Sequence, residues 1–313
     1  MKKIPIGISS CLLGENVRFD GGHKRDSYIV GTLSEYFDFR PFCPEVAIGM
    51  PIPRPTIHLV KINGAIRCVG IKDPSNDVTD ALHAYADKVK RQHTDLCGYI
   101  LKKDSPSCGM TRVKVYGEIN HPPQRDGIGI YARQLLQNNP LLPVEEEGRL
   151  GDPGLRENFI QRVYIMYRWQ QMVAEGLTAQ RLTHFHACHK LIIMSHADYR
   201  PLGHLLTNIG KDNIESVAAE YIALLMETLK TVPERKNHVN VLQHIQGYLK
   251  KDLDKDDKAE LSEIIERYRN GEVPLIVPLT LLKHHFRKSP DPYIDNSYYL
   301  SPYPQQLRLI NQI

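Results

Sequence analysis

Apolar positions in the first half of the chain fall into short continuous runs, separated by stretches with helical spacing. Ile4 to Ser10 and Phe39 to Phe42 are runs of the first kind. Bounded by Gly, Pro and polar residues, such runs predict strands buried on both faces. Between them, Tyr28 to Phe37 places Ile29, Leu33, Tyr36 and Phe37 on one face and predicts a helix. His58 to Lys72 predicts a β-hairpin, because Asn63-Gly64 suits the positive φ angles of a two-residue turn. From Asp77 to Arg91, the residues Val78, Ala81, Leu82, Tyr85, Ala86 and Val89 share a helical face. Cys97 to Lys102 and Arg112 to Ile119 predict strands. A helix from Ile128 to Gln137 and a short strand at Leu141 to Val144 complete the unit. Strands alternating with helices imply an α/β fold, a Rossmann-like sheet with parallel pairs.

The pattern changes after Glu145 to Gly154, a candidate linker with three consecutive acids and Gly148, Gly151 and Gly154. Beyond it Asn158 to Gln171, Leu182 to His196, Ile214 to Leu229, His238 to Leu249 and Ala259 to Tyr268 all predict helices. Strand signals nearly vanish. The expected organisation is an α/β domain over 1–152 followed by an all-α domain over 153–313.

Charge and composition narrow the class only slightly. A net charge of +4 over 313 residues is too small to argue for a nucleic-acid binder, so clusters such as Lys283 to Lys288 read as solvated surface. No stretch approaches the ~20 apolar residues of a membrane span, which points away from a membrane partner. The start of the chain does not resemble a signal peptide, since Pro5 and Gly7 break its apolar run. A cytoplasmic protein is expected. There, six cysteines read as metal ligands or chemistry rather than as a disulfide framework.

The placement of those cysteines separates them. Cys11, Cys43 and Cys108 each follow a predicted strand, on the edge where the loops of a parallel sheet gather and ligands bind. Cys97 precedes its strand, Cys68 lies inside the hairpin and Cys188 lies in the helical half; these three read as packing residues. Thiolate is a soft ligand that selects zinc, copper(I) or iron–sulfur clusters. Three thiols rather than four suggest a centre with an open position. Cys43-Pro44-Glu45 sets a carboxylate beside it, a candidate general base. Ser105 and Ser107 flank Pro106 next to Cys108, and either hydroxyl could donate to a substrate atom. The alternative readings are a capping glutamate and ordinary turn chemistry.

These segments resemble the thiouracil desulfurase family. The resemblance rests on Ser9-Ser10-Cys11-Leu12-Leu13-Gly14 with Asn16, Arg18, Asp20 and Gly21, then Cys43-Pro44-Glu45, then Lys102 to Gly109. Pro51 with Pro53-Arg54-Pro55, Asn76 to Thr79 and Gly127-Ile128-Gly129 support it. The later half resembles the YbgA-like domain, through Phe185-His186, His189-Lys190, His196, Pro278 to His285 and Tyr299 to Pro304. The first resemblance implies a 4Fe–4S cluster held by Cys11, Cys43 and Cys108 with one iron open. It also implies a catalytic pair, Glu45 and Ser105, and a small thiolated nucleobase such as 2-thiouracil as substrate. The resulting reading is a non-redox desulfidase that cleaves a carbon–sulfur bond and releases hydrosulfide. Two others remain beside it: a module that binds or acts on thiolated RNA or nucleotides, and a zinc-stabilised structural protein.

His184, His186, His189 and His196 share one predicted helix, with His186 and His189 neighbours on its surface. They lack the zinc-protease pattern His-Glu-x-x-His and read as core or interface residues. The tyrosines Tyr293, Tyr298, Tyr299 and Tyr303 could stack bases, but are expected to pack against the α/β domain.

Overall fold

The computed structural model describes residues 2–117, 122–196, 199–207, 209–210, 212–304 and 307. The chain divides into two compact units, Met1–Gly151 and Asp152–Ile313. In chain order the first contains β1 (Ile4–Ser9), α1 (Ser27–Gly31), β2 (Phe37–Phe42), α2 (Pro44–Ala47), β3 (Ile57–Ile62), β4 (Ala65–Gly70), α3 (Thr79–Gln92), β5 (Gly98–Leu101), β6 (Val113–Tyr116), β7 (Gln124–Gly127), α4 (Ile130–Asn138) and β8 (Val144–Glu146). The expected sheet is present as β2-β1-β5-β8, with every pairing parallel. A second sheet, β4-β3-β6-β7, mixes the antiparallel β3–β4 hairpin with a parallel β3–β6 pair.

β1 occupies the centre because Ile4, Ile6 and Ile8 are all buried. Gly7 between them has a steric role. A Cβ there would lie 2.3 Å from the ring of Tyr99 on the neighbouring strand. Tyr99 is itself fully buried, and its hydroxyl is 3.0 Å from that of Tyr131 on α4. Leu82, Ala86 and Val89 of α3 pack with Tyr131 and Leu135 of α4 in the same core. The hairpin turns as expected, with φ of 50° at Asn63 and 81° at Gly64.

Two expectations need correction. The helix over Tyr28 to Phe37 is only the one-turn α1 followed by a 3-10 turn, Leu33–Glu35. Phe37 instead opens β2, pairs with Ile4 and is buried, so sheet pairing overrides helical spacing. The linker beginning at Glu145 is not a linker at its start. Glu145 and Glu146 lie in β8, pair with Ile100 and Leu101, and are buried. Their carboxylates are supplied with donors: Arg149 Nε reaches Glu145 at 2.6 Å, and the Met110 amide reaches Glu146 at 2.7 Å. Paired in this way, acids can occupy a buried edge. β7 is an addition to the expected elements, since its polar Gln124-Arg125-Asp126 is exposed and carries no strand pattern. The predicted end of β6 at Ile119 lies outside the described residues.

The second unit contains α5 (Pro153–Ala174), α6 (Ala179–His196), α7 (Arg200–Leu205), α8 (Ile214–Thr228), α9 (Arg235–Tyr248), α10 (Lys255–Arg269), α11 (Ile276–Lys288) and α12 (Pro292–Asn296), with no strand among its described residues. α5 begins where Asp152 accepts the Leu155 amide at 2.9 Å and Pro153 takes the first helical position. Among the described residues, no helix is long and apolar enough to cross a membrane.

Candidate functional site

Parallel pairing brings the C-terminal ends of β1, β2 and β5 to one edge of the first sheet. Cys11 sits in a 3-10 turn directly after β1, Cys43 follows β2 and caps α2, and Cys108 lies in the turn after β5. All three line one cavity of about 510 Å³, together with Glu45 and Ser105. Cys68, Cys97 and Cys188 do not line it.

The loops that carry the thiols are tied to the scaffold. The Lys102 amide donates to Ser9 Oγ at 3.0 Å, joining the ends of β1 and β5. Ser105 Oγ accepts the Cys108 amide at 3.1 Å and the Ser107 amide at 3.3 Å, which closes the turn around Pro106. That turn rests on the start of α4, where the Gly129 amide reaches Gly109 O at 2.7 Å and the Ala132 amide reaches Ser107 O at 3.0 Å. A Cβ on Gly129 would lie 2.5 Å from Ser107 O and 2.9 Å from the Cys108 nitrogen. Both obstacles are backbone and cannot rotate away. Gly129→Ala is therefore expected to cost about 1–3 kcal/mol in urea denaturation and to displace Cys108. An unchanged unfolding midpoint would show that the turn gives way freely.

Glu45 stands in the single turn of α2 with both carboxylate oxygens engaged. Arg54 Nε donates to Oε2 at 2.7 Å, while another Arg54 nitrogen donates to Val17 O at 2.8 Å. The guanidinium is 3% exposed, so this is an ion pair fixed inside the wall of the cavity. On the other side Ser107 Oγ donates to Oε1 at 2.5 Å. Ser105 Oγ lies 3.0 Å from Ser107 Oγ. Ser107 gives its hydrogen to Glu45 and Ser105 already accepts two amides, so the Ser105 hydroxyl is the donor to Ser107. A directed chain runs Ser105 to Ser107 to Glu45. Ser107 is fully buried and does not itself line the cavity.

The sequence reading named Glu45 and Ser105 as the pair and missed two members. Arg54 is an Arg between two prolines, a cue to a rigid segment but not to a partner nine residues back. The sequence offers either hydroxyl, Ser105 or Ser107, whereas the structure places the two in series on the way to Glu45.

Burial dominates the electrostatics of the thiols. It pushes Cys11 up to about 11 against the pull of Lys102. It also raises Cys43, opposed by the Val46 amide, and it raises Cys108, with the Glu45 and Cys43 charges adding to the effect. Thiols held neutral in this way are poor nucleophiles, and a metal must displace their protons to bind. The donor set is purely soft sulfur, which suits iron–sulfur chemistry. Among the described residues no group of three or more His, Cys, Asp or Glu side chains is placed to hold one metal ion. The three thiols line one cavity and feel one another's charge, which suits a shared centre. The rim is cationic: Arg18, Lys24, Lys102 and Lys103 line it, against the acids Glu45 and Asp104.

The histidines of α6 do not converge. His186 Nδ1 is 3.1 Å from the Tyr221 hydroxyl, His189 Nδ1 is 2.7 Å from Phe185 O, and His196 lies between Thr231 O and Gln161 at 2.6 and 2.7 Å. The tyrosine-rich tail finds its partners in the helical unit itself, contrary to expectation. Tyr299 bonds His238 at 2.8 Å and Tyr303 donates to Glu157 at 2.9 Å. Each hydroxyl meets a buried polar group that would otherwise lack a partner.

The first unit thus places a cysteine-lined cavity at the C-terminal ends of a parallel sheet. Residues 6–147 match the family model described as 2-thiouracil desulfurase, and residues 190–304 match one described as a protein of unknown function, DUF1722. The uncharacterized protein YbgA of Escherichia coli (strain K12) is 28% identical over 151 residues, which covers 47% of this chain and 89% of that protein. The chain thus joins a segment that matches the 2-thiouracil desulfurase model to one that is similar to YbgA. Among solved structures, a 4Fe-4S-dependent thiouracil desulfidase, TudS, is 29% identical. That match covers 48% of this chain and 94% of the other, with a TM-score of 0.39.

Proposed function

We propose that the α/β unit removes sulfur from a small thiolated nucleobase such as 2-thiouracil, or from its nucleotide, and releases it as hydrosulfide without net redox change. Cys11, Cys43 and Cys108 would hold a 4Fe–4S cluster with one iron open. The observation that carries the reading is that loops from three separate strands bring these thiols to one cavity beside Glu45 and Ser105. The 2-thiouracil desulfurase match over the same residues agrees with it.

When bound, the cluster supplies a thiophilic Lewis acid that polarises the carbon–sulfur bond. The rest is done by side chains. Arg54 holds the Glu45 side chain in place with its other oxygen aimed at Ser107. A water attacking the ring carbon takes the place of the longer, 3.3 Å amide contact on Ser105 Oγ and gives its proton to Ser105, Ser105 passes its own to Ser107, and Ser107 passes its own to Glu45. Ser105 and Glu45 both line the cavity while Ser107 between them does not, so Ser105 is the end of the relay that meets water or ring. The cationic rim favours anionic forms of the substrate, including a phosphate on a nucleotide.

Iron and acid-labile sulfide in anaerobically prepared protein test the assignment. Near-equal iron and sulfide are expected in the parent, with both lost in Cys11→Ala, Cys43→Ala and Cys108→Ala and retained in Cys97→Ala. Absence of both from the parent after reconstitution with iron and sulfide would rule out the cluster and the desulfidase with it.

A further inference from the structure

The helical unit has a cavity of its own, of about 270 Å³, whose walls include Arg168, Met172, Phe185, Cys188, His189 and Tyr298. Two of these residues carry buried nitrogens with no hydrogen-bond partner: His189 Nε2 and Arg168 Nη1. Such groups are rare in folded proteins, because desolvation without a bond is costly.

The tautomer of His189 follows from its surroundings. Nδ1 faces Phe185 O, which can only accept, so Nδ1 carries the hydrogen. Burial holds the ring neutral, its pKa pushed down to about 3. Nε2 is therefore a bare lone pair that requires a donor. The residue is 1% exposed. Its ring lies 4.1 Å from that of Phe185 and 4.8 Å from that of Tyr298.

Arg168 presents the complementary deficit. One nitrogen donates to Pro302 O at 2.5 Å, and the guanidinium lies over the Tyr298 ring at 3.6 Å and near the Tyr164 ring at 5.7 Å. Aromatic faces offset part of the cation's charge. Unmet hydrogen-bonding capacity remains, since Nη1 has a proton and no acceptor. Its charge is felt at His189, so the two groups are close.

The cavity thus has one unsatisfied donor and one unsatisfied acceptor set behind a wall that is apolar or aromatic at Met172, Phe185, Cys188 and Tyr298 and polar or charged at Gln171, Glu175, Arg181 and His184, so a ligand reaches the two nitrogens by a small shift of their side chains. We propose that it binds a small planar heterocycle with a ring N–H beside a ring carbonyl, the N–H donating to His189 Nε2 and the carbonyl accepting from Arg168 Nη1. The proposal does not depend on the desulfidase reading, because the site lies wholly within the other unit. An oxyanion would satisfy Arg168 but would leave the aromatic walls without a partner.

Calorimetric titration of the full chain with uracil tests this. A uracil methylated on both ring nitrogens, which keeps the carbonyls and lacks the donors, should bind roughly tenfold or more weakly. His189→Phe keeps the ring and removes the acceptor, and should weaken uracil by a similar factor. His189→Gln restores an acceptor and should recover most of the affinity. Arg168→Gln serves as a second probe if His189→Phe does not fold. Uracil bound equally by parent and by both His189→Phe and Arg168→Gln would place it elsewhere and overturn the proposal. Equal binding of the methylated ring, displacement of uracil by inorganic phosphate, or no binding, which would mean a cavity filled by water only, would overturn it as well.

Discussion

Glu45→Gln should leave iron and sulfide content intact while hydrosulfide release from 2-thiouracil falls by roughly 10²–10⁴, the usual weight of a general base. The substitution suits the purpose because the wall can accept it. Arg54 presents only donors to one side of Glu45, so a glutamine turns its oxygen that way. Its NH₂ then faces Ser107 Oγ, where the parent carboxylate accepts at 2.5 Å. Ser107 must now accept from the amide and turn its hydrogen toward Cys108 Sγ, 3.8 Å away. The packing survives, but the chain of hydroxyls runs away from the acceptor. Ser107→Ala interrupts the same route with the carboxylate still in place, and should lower turnover by an intermediate factor of about tenfold or more. Full turnover in Glu45→Gln with an intact cluster would remove Glu45 from the chemistry. Loss of iron in that variant would instead make it a structural neighbour of Cys43.

The contrast between Ser105 and Ser107 shows where sequence stops being informative. The strand-end cysteines were legible because two rules meet there: parallel strands deliver their loops to one edge, and soft ligands in those loops bind metal. Cys97 was separable from Cys108 by the same rule, one lying before β5 and the other after it. What sequence lacks is the third dimension at single-bond scale. Nothing in Ser105-Pro106-Ser107 tells which hydroxyl reaches Glu45, because that depends on a turn folded against α4. Arg54 was hidden for a related reason, since its partner is set by how the chain returns past Val17. The buried acids of β8 mark the opposite failure. A run of three glutamates reads as solvated, and only the donors from Arg149, Met110 and Thr111 allow two of them inside. In the helical half, long periodic helices were visible. The cavity in that unit was not, because it forms only where α5, α6 and Tyr298 come together.

Acid should unfold the helical unit at a pH where the α/β unit persists. Burial, in each case the leading cause, pushes His186 and His196 down to about 4 and His189 and His238 down to about 3, from an ordinary 6.5. A group whose pKa is depressed by folding contributes stability that is complete above the unfolded value. That stability is lost as pH falls through the folded value. The window therefore opens near pH 6.5 and closes between about 4 and about 3. At about 1.4 kcal/mol per unit, three of these rings, His189, His196 and His238, together represent on the order of 10 kcal/mol. That is comparable with the ~5–15 kcal/mol that holds a whole domain folded. Glu157 works in the opposite direction. Its burial raises it to about 7, so protonation on acidification relieves strain that is present at neutral pH. One carboxyl offsets about one histidine and leaves the balance strongly against the fold. Among the described residues the α/β unit has no buried histidine, so its acid transition should come later. Far-ultraviolet circular dichroism followed from neutral pH downward should show helix loss beginning below about 6. His238→Phe, which trades the bond to Tyr299 for a ring that cannot take a proton, should move that midpoint lower. Helicity that persists to pH 3 would mean that these rings ionise in place and that their burial is not what limits the unit.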